Sequence, residues 1–212
     1  ELDVRWILSA ENQLYLAGIP YDVIGESDLK DANLISQYDV LVFPYFVNVR
    51  SSDYADIYSN LKSFNGSLIV AGTFMAYDEN NNWINESAMN DLLNIRYVGG
   101  SGENRDVSVE VINSSDPAMW RYSDGQILFN ISSLWYDYYD VYSASNNYAY
   151  LVNLTDNESE EHYVMIYTER ANPSGNVVKI IHINSPSIMA YYNSRLVADS
   201  IRKLMFGDAP QV

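Results

Sequence analysis

Two nearly continuous apolar runs constrain this chain most. They are Tyr38-Asp-Val-Leu-Val-Phe-Pro-Tyr-Phe46 and, after the turn signal Asn65-Gly66, Ser67-Leu-Ile-Val-Ala-Gly-Thr-Phe74. A strand with one wet face alternates apolar and polar residues, whereas an unbroken run fits a strand covered on both faces. Between the runs, Tyr54, Ile57, Leu61 and Phe64 recur at spacings of three and four. That spacing predicts a helix, with Ser51-Ser-Asp53 as its cap. Strand, helix and strand on short connections predict a parallel sheet with helices on both faces, joined by right-handed crossovers.

The flanks extend this unit. Residues 3–8 read as a first strand, 10–17 as a helix ended by Gly18, and 19–24 as a second strand. Residues 27–35 read as a short helix and 85–93 as another, with Ala88, Leu92 and Leu93 inward; 95–98 resumes an extended run. From Gly99 the pattern changes. Residues 107–112 alternate with period two, and 126–131, 148–154, 162–168 and 177–183 follow as further strands. Asp156-Asn-Glu-Ser-Glu-Glu161 and Pro173-Ser-Gly175 read as turns between them. Residues 187–206 predict a closing helix with Met189, Tyr192, Leu196, Ile201 and Leu204 inward, stopped by Gly207. The expected fold is α/β: a flavodoxin-like three-layer sandwich with a mainly parallel central sheet and antiparallel additions in the second half. With no repeat and no long linker, residues 1–212 read as one domain, cut from a larger protein.

Charge and composition narrow the function. The net charge is −16, with 12 basic against 28 acidic residues. No basic stripe exists, which argues against nucleic acid as a partner. No apolar run reaches the roughly 18 residues of a membrane span, so no membrane insertion is expected within this segment. There is no cysteine, so thiol catalysis, disulfides and Cys-based zinc sites are excluded. Two histidines and no EF-hand spacing leave no metal site and no cofactor to expect. Nineteen tyrosines, 22 asparagines and six Asn-x-Ser/Thr sequons, at Asn65, Asn85, Asn113, Asn130, Asn153 and Asn157, fit an extracellular or cell-surface protein better than a cytosolic enzyme.

Several segments together resemble a known superfamily. Tyr38-Asp-Val-Leu-Val-Phe-Pro44, then Asn65-Gly-Ser-Leu-Ile-Val70, Tyr77-Asp-Glu-Asn80 and Leu92-Leu-Asn-Ile95 follow one another as in the class I glutamine amidotransferase-like proteins. The pattern most resembles the middle, trimerisation domain of family 42 β-galactosidases. Gly175-Asn-Val-Val-Lys-Ile-Ile-His182 and the last helix are also similar to ThuA-like proteins. The resemblance implies a flavodoxin-like fold and a module serving assembly, by self-association or by support of a neighbouring domain. Catalytic members carry Cys or Ser at the elbow after the second run. This chain reads Gly72-Thr-Phe-Met75 there, and His182 is followed by Asn184-Ser-Pro186 instead of the family's His-x-Glu. No catalytic residue is therefore assigned, and Thr73 with His182 is the one candidate pair.

Ligand-binding candidates gather where open α/β sheets place their sites, outside the C-terminal ends of the strands. Tyr45, Thr73, Tyr77, Asp78 and His182 are expected there. A second candidate is Trp135-Tyr-Asp-Tyr-Tyr-Asp-Val-Tyr142. Its rings could stack on sugar C–H faces while Asp137 accepts hydroxyl hydrogen bonds, which makes a glycan the alternative partner. The same stretch also reads as an edge strand or a protein interface. Asp137 with Asp140 invites comparison with a glycosidase carboxylate pair, whose separation the sequence does not set.

Overall fold

Both apolar runs become strands: Ser67–Ala71 is buried on both faces, whereas Val40–Phe43, at the edge of the sheet, buries Leu41 and Phe43 and leaves Val40 and Val42 half-buried. In β2 (Ser67–Ala71), Leu68 and Val70 face one core while Ile69 and Ala71 face the other. The computed structural model describes residues 4–191 and 195–206. β2 lies between β1 (Val40–Phe43) and β9 (Val177–Ile183), parallel to both, with Leu68 opposite Ile180 and Val70 opposite His182. Beyond β9 every pairing is antiparallel: β8 (Glu161–Ala171), β7 (Tyr148–Asp156), β4 (Arg105–Val111) and β5 (Ile127–Leu134) complete a seven-stranded sheet. The expected antiparallel additions thus build more than half of it. The α/β sandwich is as read from the sequence.

Helices cover both faces. One layer holds α1 (Val4–Ala17), α4 (Pro186–Met189) and α5 (Leu196–Phe206), with Leu14, Met189 and Val197 packed on Ile69 and Ile181. The other holds α2 (Ala32–Ile35), α3 (Tyr54–Ser63) and a π-helical turn, Ala88–Leu93, with Ile57, Leu61 and Leu92 packed on Leu68 and Ile180. Ala88, Leu92 and Leu93 are all buried, as expected.

Four expectations need correction. The run at 3–8 is not a strand: from Val4 it is the first turn of α1. A short apolar run has no period of its own, and here it continues into the helical spacing of Ala10 and Leu14. Residues 19–24 form no strand, and Tyr21 and Val23 are exposed. The Asp53 side chain does not cap α3; it accepts from Lys30 Nζ at 3.1 Å and from Ser52 Oγ at 3.0 Å. The closing helix is two pieces, α4 and α5. The expected inward position Tyr192 and the stop at Gly207 lie outside the described residues.

The extended run at 95–98 is a strand, β3 (Ile95–Gly100), but it leaves the main sheet. It pairs with β6 (Asp137–Val141), Tyr97 opposite Tyr139, as a two-stranded ribbon. The aromatic–acidic stretch is therefore largely a strand, and its odd and even positions point to opposite sides.

Candidate functional site

The elbow after β2 requires an unusual backbone. Gly72 has φ +72° and Met75 has φ +49°, both left-handed. A Cβ at Gly72 would also sit 3.0 Å from Pro186 Cδ, so glycine is needed there for conformation and for space. Met75 is held in place by its N–H donating to Phe46 O at 2.8 Å, and Ala76 N–H to Val47 O at 3.1 Å.

Three of the expected residues meet at this elbow. Thr73 Oγ1 is 2.8 Å from the Tyr139 hydroxyl and 3.5 Å from Asp137 Oδ2. Asn184 Nδ2 donates to the Asp137 backbone carbonyl at 3.0 Å. His182 lies edge-on to the Tyr139 ring, centroids 4.5 Å apart, with Nε2 3.0 Å from Gly72 O. A carbonyl only accepts, so Nε2 carries the proton and donates. Nδ1 is then a buried lone pair with no partner among the described residues. Burial pushes the His182 pKa down to about 4, leaving a neutral ring at neutral pH. Burial raises the Asp137 carboxyl, while Thr73 and Tyr139 hold it down in part. Tyr139 is raised, by burial and then by the Asp137 charge.

This geometry does not assemble a nucleophile and base. Among the described residues no hydrogen bond joins His182 to Thr73, and the imidazole N–H is committed to the backbone of Gly72. Asp137 and Asp140 do not form a carboxylate pair either. Asp140 turns away from the elbow, accepts from Arg96 Nη2 at 3.0 Å and from the Tyr150 hydroxyl, and its carboxyl is held below the usual range. Burial raises it, and these hydrogen bonds outweigh that.

The other candidates are engaged apart from this cluster. Tyr45 packs on Trp6, centroids 4.6 Å apart, and Tyr77 is edge-on to Trp83 at 5.1 Å. Asp78 organises its own loop: Oδ1 accepts from the Asn80 and Asn82 amides at 2.8 Å each, and Oδ2 accepts from Asn82 Nδ2 at 2.9 Å. These bonds, led by those from Asn82, hold its carboxyl below the ordinary range. Trp135 precedes β6 and is 55% exposed. Tyr139 and Asn184 were missed by the sequence reading. The available signal was the period of a strand, since each stands two residues beyond a named candidate, Asp137 and His182.

A cavity of about 400 Å³ lies at the opposite end of the sheet, beside the starts of β1 and β2. It is lined by Asn60, Phe64, Ser67, Leu204 and Met205 among others, with Tyr38 and Asp39 its only titratable groups among the described residues. Among the described residues no group of three or more His, Asp or Glu side chains is placed to hold a metal ion. No helix there is long and apolar enough to cross a membrane.

By sequence the chain matches no family model and no curated protein. Its fold does match solved structures. A putative ThuA-like protein from Bacteroides uniformis superposes with a TM-score of 0.64 at 12% identity, over 97% of this chain and 86% of that one. A cold-adapted β-galactosidase from Rahnella sp. R3 gives 0.60 at 15% identity over 94% of this chain. A GH42 β-galactosidase from G. stearothermophilus gives 0.60 at 11% identity over 98%. The chain spans 27% of the length of each of these two enzymes. At such identities the likeness establishes the fold: an α/β sandwich of the kind found in ThuA-like proteins and as one part of β-galactosidases.

Proposed function

We propose that this chain is a non-catalytic accessory module, a member of the amidotransferase-like superfamily that serves assembly with a second copy or a neighbouring domain. One observation carries the reading. At the elbow where a nucleophile would stand, Thr73 is bonded to Tyr139 and His182 is turned onto the Gly72 carbonyl. The match to a quarter of a β-galactosidase supports a role inside a larger assembly. So does α1, which buries Ala10, Gln13 and Leu14 but leaves Val4, Leu8 and Tyr15 exposed along its opposite side. Exposed apolar side chains grouped in this way mark contact surfaces. An exported setting is part of the proposal; it rests on composition, and the exposed sequon residues Asn130 and Asn157 are compatible with it.

Light scattering over a concentration series is the test. A dimer or trimer is expected, dissociating to monomer in the double variant Leu8→Glu/Tyr15→Glu. A monomer at every concentration would remove self-association and leave the neighbouring domain as the partner.

A glycan-binding role is favoured by a separate observation. Tyr150 and Tyr163 stack with centroids 3.6 Å apart, Tyr148 adds a ring 5.6 Å further on, and the Asp140–Arg96 pair borders them. Rings beside a carboxylate and a guanidinium suit sugar faces and hydroxyls. This reading moves the platform from Trp135 to the tyrosines of β7 and β8. It predicts saturable tyrosine and tryptophan fluorescence changes with some member of a broad glycan panel, abolished by Tyr163→Ala. A flat response across the panel would end it.

A further inference from the structure

Basic side chains are scarce, 12 in 212 residues against a net charge of −16, yet three arginines converge on one place. Asp199 and Arg202 share one side of α5, and Arg195, directly before the helix with its carbonyl accepting from Asp199 N at 2.9 Å, stands at i relative to their i+4 and i+7. Facing them is the segment after the short 3₁₀ turn Pro117–Met119, which supplies Trp120, Arg121 and Tyr122. Asp199 is fully buried at the centre. Arg121 Nε is 3.8 Å and Arg202 Nη1 3.7 Å from its Oδ1, and the Arg195 charge acts on it as well. Tyr122 offers its hydroxyl to the same carboxylate, though neither oxygen receives a hydrogen bond of good geometry.

The charges leave a local surplus. Three guanidinium groups surround one carboxylate, a net +2 in an otherwise acidic chain. The nearby Lys203 does not add to it, being paired with Asp116 at 2.5 Å. Hydrogen bonding is unbalanced in the same direction. Among the described residues Arg195 Nε and the Trp120 indole Nε1 are buried donors without an acceptor, and Arg121 lies over the Trp120 ring at 4.5 Å. Arg121 and Arg202 remain partly open to solvent. A cation would be repelled by this cluster. A group bringing acceptors and negative charge would satisfy both imbalances, and guanidinium forks match the oxygens of carboxylate and phosphate.

We propose that Arg121, Arg195 and Arg202, spaced by the buried Asp199, form a binding site for a small oxyanion of the phosphate or carboxylate class. This is independent of the elbow and of the assembly role. Asp199 acts as a positioning residue that holds the guanidinium groups apart and facing outward.

The test uses the full chain and follows the Trp120 indole N–H signal by NMR, assigned through Trp120→Phe. Sodium phosphate and sodium malonate are titrated against sodium chloride at matched ionic strength. A saturable shift with either oxyanion, absent with chloride, is expected; which of the two saturates at lower concentration identifies the preferred class. Arg121→Gln and Arg202→Gln should each weaken binding about tenfold or more, the effect of losing one charge-assisted hydrogen bond. Arg50→Gln, exposed just before α3 in the other helical layer, should leave it unchanged. Circular dichroism confirms that each variant is folded, and Arg121, the more exposed of the two, keeps the test valid should Arg202→Gln unfold. A response equal to that of chloride, or undiminished affinity in the folded variants, overturns the proposal.

Discussion

Replacing Arg170 by alanine is expected to destabilise the chain by about 4 kcal/mol, because one buried side chain holds the ends of two helical elements. Arg170 sits on β8 and is 6% exposed. Its Nε donates to Leu92 O at 2.8 Å, Nη1 to Lys62 O at 3.0 Å and Nη2 to Leu61 O at 2.8 Å. These carbonyls end α3 and the π-helical turn, where a helix has acceptors and no partners of its own. Thr168 Oγ1 donates to Leu93 O at 2.6 Å, and Asn172 Nδ2 lies 3.4 Å from Phe64 O. Alternate residues of one strand thus tie two helical ends to the sheet. Burial lowers the Arg170 pKa to about 10, so the group stays charged at neutral pH. Truncation leaves three carbonyls without their charged donor, each costing about 1–3 kcal/mol if buried and unsatisfied. Arg170→Lys should recover less than half, because an ammonium cannot span carbonyls on two elements. Urea unfolding measures the loss as a lower midpoint at unchanged slope. Arg96→Ala, at a largely exposed ion pair, is the control, with a change below about 1 kcal/mol. An equally small change at Arg170 would refute the clamp.

His182 makes the second large prediction, in its dependence on pH. The folded ring stays neutral down to about pH 4, because burial opposes its charge. An unfolded histidine takes its proton near pH 6.5. Between these values the unfolded chain binds one more proton, so acid favours unfolding. Stability from this group is complete above pH 6.5 and is lost as pH falls through the window to 4, by an amount on the order of 3 kcal/mol. His182→Phe keeps a ring against Tyr139 and removes the titration. The wild-type-minus-variant stability should therefore fall with acid across that window. Asp137 works in the opposite direction: its raised folded pKa makes protonation favour the folded state just above the ordinary carboxylate range. Urea titrations at pH 4, 5, 6 and 7 separate the two. An NMR-detected His182 titration near 6.5 would show that the ring is not shielded as described.

Both predictions rest on residues whose positions were legible and whose partners were not. The strand at 162–168 and its turn partner at 177–183 were readable as apolar runs flanking the Pro173-Ser-Gly175 turn. That Thr168, Arg170 and Asn172 face helix ends depends on which elements cover that side of the sheet. At the elbow, Gly72, Thr73 and His182 were placed by strand ends and resemblance. Their meeting with Asp137 required the ribbon of β3 and β6 to fold back over the sheet, a pairing across some 40 residues that no local pattern announces. The misread first strand shows the converse limit, since four apolar residues carry no period until their neighbours supply one.

The sequence by itself determined the α/β class, the buried parallel pair β1 and β2 with its intervening helix, the antiparallel second half, and the lack of Cys or Ser at the elbow. Each of these follows from local periodicity or residue identity, which are properties of short segments. Tertiary structure alone decided that β9 inserts beside β2, that β3 leaves the sheet to pair with β6, that His182 turns to a backbone carbonyl, and that three arginines gather around Asp199. Those are long-range contacts, chosen by which burial and charge pairings lower the free energy of the whole chain, and periodicity along the sequence carries no record of them.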